Sequence, residues 1–326
     1  MKQTKIVFLW ILAVQLMSCG QENSIKTIRL AHGLDVNHSV HKAMVKMGED
    51  MKELSHGKLR IEIYPSQQLG TEREILELIQ LGSLDMTKVS VATLENFAPK
   101  TRILGLPYLF EDREHAFEVL DGPIGQSLLD NAEQFRLKGL GYYDAGFRSF
   151  YTEHEPIKSP DDLKGLKVRV MESITAMDMV KSLGGSPTPI SWGELYTSLQ
   201  QGVVDGAENN PPSFYLSRHY EVCPYYALDE HTFSPDVLIV GTQFWDKLTQ
   251  EEQNWVDTAV KKSLQHQRIL WAESEAEALR EVKKAGVEIS YPNKQPFKEM
   301  TQDMYKAYED DPELNRMIQE IKSLAD

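Results

Sequence analysis

Apolar and polar positions along the chain alternate between two periods. Short strand-like runs, "TIRLAHG", "LRIEIYP" and "LDMTKVS", are separated by segments over 39–55 and 71–81 with the 3.6-residue spacing of amphipathic helices. After "KGLGYYDAGF" the alternation resumes with "LKVRV", a helical 173–183, "SPTPI", a helical 193–201 and "VVDGAEN". Strands that alternate with helices in this way predict parallel pairing with helical crossovers, so both halves read as α/β units. "LIQLGSLDM" and "SLQQGVVDG" echo one another: each ends a helix on glycine, Gly82 or Gly202, and places an aspartate three residues later, Asp85 or Asp205. Glycine accepts the left-handed conformation that stops a helix, and many helices end so; the echo suggests two related domains.

A different pattern covers 242–285, which holds neither glycine nor proline. Thr249-x-x-Glu252 is a capping box near its start and Gly286 follows its end, which predicts one helix of about 36 residues. At 1.5 Å per residue it is ~54 Å long, whereas a domain of half this chain is about 30–35 Å across. The helix is therefore expected to lie along both domains. Val256, Val260, Leu264 and Trp271 form its apolar stripe. A coiled-coil dimer is the competing reading, weakened by the lack of sustained heptads.

The chain has 326 residues, about two average domains by length. Its first stretch sets Lys2 and Lys5 ahead of an apolar run from Ile6 to Met17, too short to span a bilayer and typical of an export signal. That run ends in "LMSC", similar to the lipobox of bacterial lipoproteins, which makes Cys19 the expected lipid anchor and 1–18 a removed leader; ordinary signal cleavage is the alternative. Cys223 is the other cysteine, so an exported mature chain has no intramolecular disulfide and must be held by its core. The net charge of −14 argues against nucleic acid and against direct adsorption to anionic lipid. An anionic ligand then needs a locally positive pocket.

No nucleophile motif, phosphate loop, paired-cysteine metal site or dinucleotide fingerprint occurs, and no cofactor is expected. His32, His38 and His41 in "HGLDVNHSVH" match no metal-ligand spacing and read as surface or strand-end histidines. Arg169 carries more information. It follows Val168 at the carboxyl end of an expected buried strand, where an unpartnered guanidinium costs several kcal/mol, so an anion must meet it. That anion is a ligand or an internal carboxylate; ligands of open α/β sheets bind at this end of the strands. Arg148 in "AGFRSFYT" has a similar place, and a planar guanidinium grips a carboxylate through two parallel hydrogen bonds.

"YPSQQLGTEREILELIQLGSLDM", "GFRSFYTEHEPIKSPDDLKGLKVRV", "GGSPTPISWGELYTSLQQGVVDGAENNP" and "HYEVCPYYALDEHT" resemble, in order and spacing, the substrate-binding proteins of TRAP (tripartite ATP-independent periplasmic) transporters. The resemblance runs from about 26 to 320. It implies a non-enzymatic, monomeric, extracytoplasmic receptor with two lobes, each a mostly parallel sheet flanked by helices. Such a receptor closes on an organic acid and delivers it to a small and a large membrane subunit. The implied lobes are 26–146 plus 235–270 and 147–234 plus 271–326. By the same resemblance Arg169 clamps the ligand carboxylate, Arg148 assists, and Asn209 completes the clamp. Glu72, Ser90, Glu172, Trp192 and His32 match further pocket positions.

Carboxylates at 72 and 172 would repel the second charge of a dicarboxylate and accept hydrogen bonds from sugar hydroxyls, and Trp192 could cover a pyranose face. Either glutamate could instead be a solvated helix-terminal charge, and Trp192 a core residue. The run from "SWGELYTSLQQGVVDGAENNPPSF" to "PDVL", with "QRILW" in the long helix, resembles the TRAP branch for hexuronates such as glucuronate and galacturonate. Other sugar acids, C4-dicarboxylates, a receptor of the ATP-driven class and a uronate-acting hydrolase or lyase are the alternatives.

Overall fold

The computed structural model describes residues 25–325. Among them two sheets form. The first has five strands: β1 (Lys26–Ala31), β2 (Leu59–Tyr64), β3 (Met86–Ser90), β4 (Leu137–Tyr143) and β10 (Asp236–Gly241), in the order β2-β1-β3-β10-β4. The second has six: β5 (Phe147–Thr152), β6 (Lys167–Val170), β7 (Ser186–Pro189), β8 (Gly206–Asn209), β9 (Tyr225–Phe233) and β11 (Glu288–Ser290), in the order β11-β9-β5-β8-β6-β7.

The strands read from the alternation pair in parallel, β1 with β2 and β3, and β6 with β7 and β8. Two strands the alternation did not distinguish run against the rest: β10 is antiparallel to β3 and β4, and β5 to β8 and β9. The reason is connectivity. The chain leaves the first sheet through Asp144–Gly146 into β5 and returns through Ser234–Pro235 into β10, so each crossing delivers one strand in the reverse sense.

The echoed glycines both hold positive φ, +74° at Gly82 and +65° at Gly202. Their aspartates also act alike. Asp85 accepts from the backbone N–H of Arg29 on β1 at 2.9 Å, and Asp205 from that of Lys167 on β6 at 2.7 Å. Each carboxylate thus secures the neighbouring parallel strand. The halves share a construction as well as a pattern.

The long helix runs from Gln250 to Lys284, 35 residues. Its Thr249–Glu252 box is formed, with Thr249 Oγ1 accepting from the Glu252 N–H and Glu252 returning to the Thr249 N–H. Val256, Ala259, Val260 and Trp271 are buried in a core with β1, β3 and helix Ser39–Leu54, while Val282 belongs to a core with Tyr151, Phe214 and Tyr226 of the second half. One helix is therefore seated on both. Gln267, fully buried at its middle, accepts from the Asp144 N–H at 2.8 Å and donates to the Asp144 carbonyl at 2.7 Å, fastening the first crossing to the helix. Cys223 is free and buried in the second half's core, where burial pushes its thiol pKa up.

Candidate ligand site

Between the sheets lies a cavity lined by residues of both halves. Arg148, Arg169, Asn209, Glu72, Ser90, Glu172 and Trp192 all line it. Its walls come from both halves, because β3, β10 and the start of helix Glu72–Gln80 end on one side and β6 and β8 on the other. Across the mouth the halves touch. Glu95 accepts from the Thr175 N–H and hydroxyl at 3.1 and 2.7 Å, and Asn96 Nδ2 donates to the Glu172 carbonyl at 2.6 Å.

Arg169 is 2% exposed. Its Nε donates to the Ile190 carbonyl at 2.9 Å, while Nη1 is buried without a partner. No carboxylate among the described residues forms an ion pair with it, so the internal salt bridge that the sequence left open is absent there. Burial lowers its pKa to about 10, still charged at neutral pH. The guanidinium lies 6.0 Å from the centroid of the Trp192 ring, which is half-buried and edges onto His219 at 5.3 Å.

Arg148 is buried too, but paired. Its Nε and Nη2 grip both oxygens of Glu208, Nη2 also reaches the Glu208 carbonyl at 2.8 Å, and Nη1 donates to Asn209 Oδ1 at 2.9 Å. Burial works against both charges. The pair outweighs it, lowering the Glu208 pKa to about 2 and raising that of Arg148. Behind Glu208, His231 Nε2 stands 3.6 Å away and His231 Nδ1 2.8 Å from Asp229. Burial opposes a charged imidazole, yet these carboxylates raise its pKa to about 9.

Asn209 ends β8, and its side-chain oxygen is occupied by Arg148 and by the Asn210 N–H at 2.9 Å each. What it can offer a ligand is therefore its NH2 group. Asn210 caps the helix Pro211–Leu216 by accepting from the Ser213 N–H, and the prolines fill that helix's first turn, where no N–H donor is needed.

Glu72 is no solvated helix-terminal charge. It accepts from Thr93 Oγ1 at 3.0 Å and from the Ser90 N–H, and lies 3.3 Å from Lys88 Nζ. Ser90 Oγ caps the turn Val91–Leu94 and meets Ser234 Oγ at 3.3 Å. His32 does not line the cavity. It is fully buried, with Nδ1 accepting from Leu34 N–H and Nε2 at 3.0 Å from His41 Nδ1, and burial lowers its pKa to about 2. Of the two readings, surface or strand-end, His32 fits the second, directly after β1, while His38 fits neither, being 3% exposed and capping helix Ser39–Leu54 through Nδ1. No cluster of three potential metal ligands occurs among the described residues.

Sequence reasoning passed over Lys88 and Asp236, and gave His38 and Trp271 other roles; all four also line the cavity. Lys88 carried a usable signal. A lysine inside the five-residue strand MTKVS, buried at every position, demands partners by the same argument that singled out Arg169.

Residues 30–311 match the family of bacterial extracellular solute-binding proteins, family 7 (DctP). A solved TRAP periplasmic solute-binding protein from Xanthobacter autotrophicus Py2 with bound β-D-galacturonate is 39% identical, with a TM-score of 0.89 over 91% of this chain and 99% of that one. Another, from Anaerococcus prevotii with bound D-glucuronate, is 34% identical with a TM-score of 0.90 over 92% and 98%. A third, from Polaromonas with bound D-erythronate, is 32% identical with a TM-score of 0.88 over 91% and 98%. The two-sheet α/β fold with its long bridging helix is theirs. The chain belongs to the DctP family of TRAP solute-binding proteins, which serve transport and are not enzymes.

Proposed function

We propose that the protein is the receptor for a hexuronate, such as D-galacturonate or D-glucuronate, and passes it to the membrane subunits of a TRAP transporter. Its lobes, 26–146 plus 235–270 and 147–234 plus 271–326, close on the sugar acid. The observation that carries this reading is Arg169, a buried guanidinium at the cavity wall without an anionic partner among the described residues. A ligand carboxylate supplies that partner through a two-pronged pair. Asn209 adds an N–H donor, and Trp192, beside the guanidinium, offers its face to the ring.

Arg148 contributes less directly. Its guanidinium is taken up by Glu208 and Asn209, so its part is to hold Asn209 and to add positive potential to the carboxylate subsite. Glu72, Glu172 and Asp236 on the remaining walls favour a hydroxyl-bearing partner over a second carboxylate. The galacturonate- and glucuronate-bound relatives support a hexuronate. The erythronate-bound relative supports a smaller sugar acid as the second reading, with the same charged end and a shorter hydroxylated one. The export leader and the lipid anchor on Cys19 lie outside the described residues. They fit a monomeric receptor tethered outside the cytoplasm, beside its permease.

The test is calorimetric titration of ligand-stripped protein with D-galacturonate, D-glucuronate, D-erythronate and succinate. One-to-one binding of a uronate and none of succinate is the expected result. Binding of succinate alone would overturn the hexuronate reading. Erythronate alone would move it to the smaller acids.

A further inference from the structure

The cavity has a second charged edge, built by the first sheet, whereas Arg169 stands on the second. Lys88 is 3% exposed, in the middle of β3. Its Nζ lies 2.8 Å from Asp236 Oδ2, at the start of the adjoining β10, and 3.3 Å from Glu72 Oε1, in the first turn of helix Glu72–Gln80. All three residues line the cavity. Thr93 and the Ser90 N–H hold Glu72 in place, so this edge is preorganised by hydrogen bonds as well as by charge.

Two carboxylates and one ammonium leave a net negative edge. It presents acceptors with spare lone pairs beside an ammonium with three protons for two partners. Neighbouring hydroxyls have matching chemistry, since each can donate to a carboxylate and accept from the ammonium. A second carboxylate placed here would meet like charge and would bring Asp236 and Glu72 no donor of its own. We infer that the Lys88–Asp236–Glu72 group reads the ring hydroxyls of the sugar acid and sets the pocket's specificity, while Arg169 holds the carboxylate. This inference rests on the hexuronate reading.

The experiment compares the wild type with Asp236→Asn and Glu72→Gln. Each is titrated with D-galacturonate, with its 2-, 3- and 4-deoxy analogues, and with galactarate, which carries a second carboxylate. In the wild type at least one deoxy analogue binds about 10- to 150-fold more weakly than the parent, the range of one hydrogen bond to a charged group, and galactarate is rejected. In Asp236→Asn the penalty for that same analogue shrinks by about threefold or more, because a neutral amide replaces the charged acceptor, while thermal melting shows the variant folded. Should Asp236→Asn fail to fold, Glu72→Gln reads the same ratio, since its amide oxygen still accepts from Thr93 and Ser90.

Discrimination unchanged in the folded variants would overturn the inference and leave the hexuronate reading standing. So would a wild type indifferent to every missing hydroxyl. A wild type that binds no uronate would remove the hexuronate reading, and this inference with it.

Discussion

Arg148 and Arg169 line the same cavity and are buried to a similar degree, 7% and 2% exposed, yet they meet opposite electrostatic fates. Arg148 has its anion built in. Glu208 grips one edge of it with both carboxylate oxygens, and His231 and Asp229 continue the alternation of charge within the second half. Arg169 has a carbonyl on Nε, an indole at 6.0 Å and an unpartnered Nη1. A matched buried pair costs little to keep and much to break, whereas an unmatched buried charge costs the ligand-free protein free energy that an incoming anion can return. On the proposed function, one arginine belongs to the architecture of the pocket and the other to its occupant.

That contrast can be broken experimentally. Arg148→Met strands Glu208 beside a single imidazolium and should lower unfolding stability by about 3–5 kcal/mol, measured by denaturant titration. A near-neutral result would mean that the pair is ornamental. Arg169→Met removes a charge with no internal anion, so the ligand-free variant should be as stable as the wild type or more so. Its uronate binding should weaken by about 2–5 kcal/mol, roughly 30- to 5,000-fold. If instead it destabilised the empty protein as much as Arg148→Met, the two arginines would not differ in kind.

The smallest effect concerns pH. His231 has its pKa raised from 6.5 to about 9, because Asp229 and Glu208 outweigh the burial that opposes its charge. Its stabilisation is thus fully present below pH 6.5 and lost as pH rises through about 9. Melting of the ligand-free protein should decline over that interval, and His231→Gln should flatten the slope. An unchanged slope would remove His231 from the network's energetics.

Arg169 was legible in the sequence because the argument for it is local: a charge at the end of a buried apolar strand, with no partner on its own element. The pairing of Arg148 was not. Glu208 lies 60 residues along the chain and reaches it through antiparallel pairing of β5 with β8, Phe150 opposite Glu208, in a register that the alternation of strands and helices does not encode. Lys88 lay open to the Arg169 argument, but its partners come from a helix start and from β10, which returns from the other half. The long helix was legible almost to the residue, since capping and the absence of breakers are properties of contiguous sequence. The reverse sense of β5 and β10 was hidden, since an antiparallel strand delivered by an interdomain crossing looks like any other apolar run.

The clasp of Gln267 on Asp144 has a mechanical consequence. With both backbone polar groups of residue 144 held by one side chain, the crossing segment is riveted to the helix at that point and cannot swivel there without breaking two bonds. Any turning must begin beyond the rivet, and the next residue but one is Gly146, at φ +61° and pressed against Trp271 and Glu275 so closely that a Cβ would lie about 3 Å from each. If the halves turn against one another, the first crossing is a short lever with a fixed end. Gly146 and the indole at the cavity wall are in contact, so a change in the angle between the two halves would be felt at the pocket as a change in the seat of a single ring.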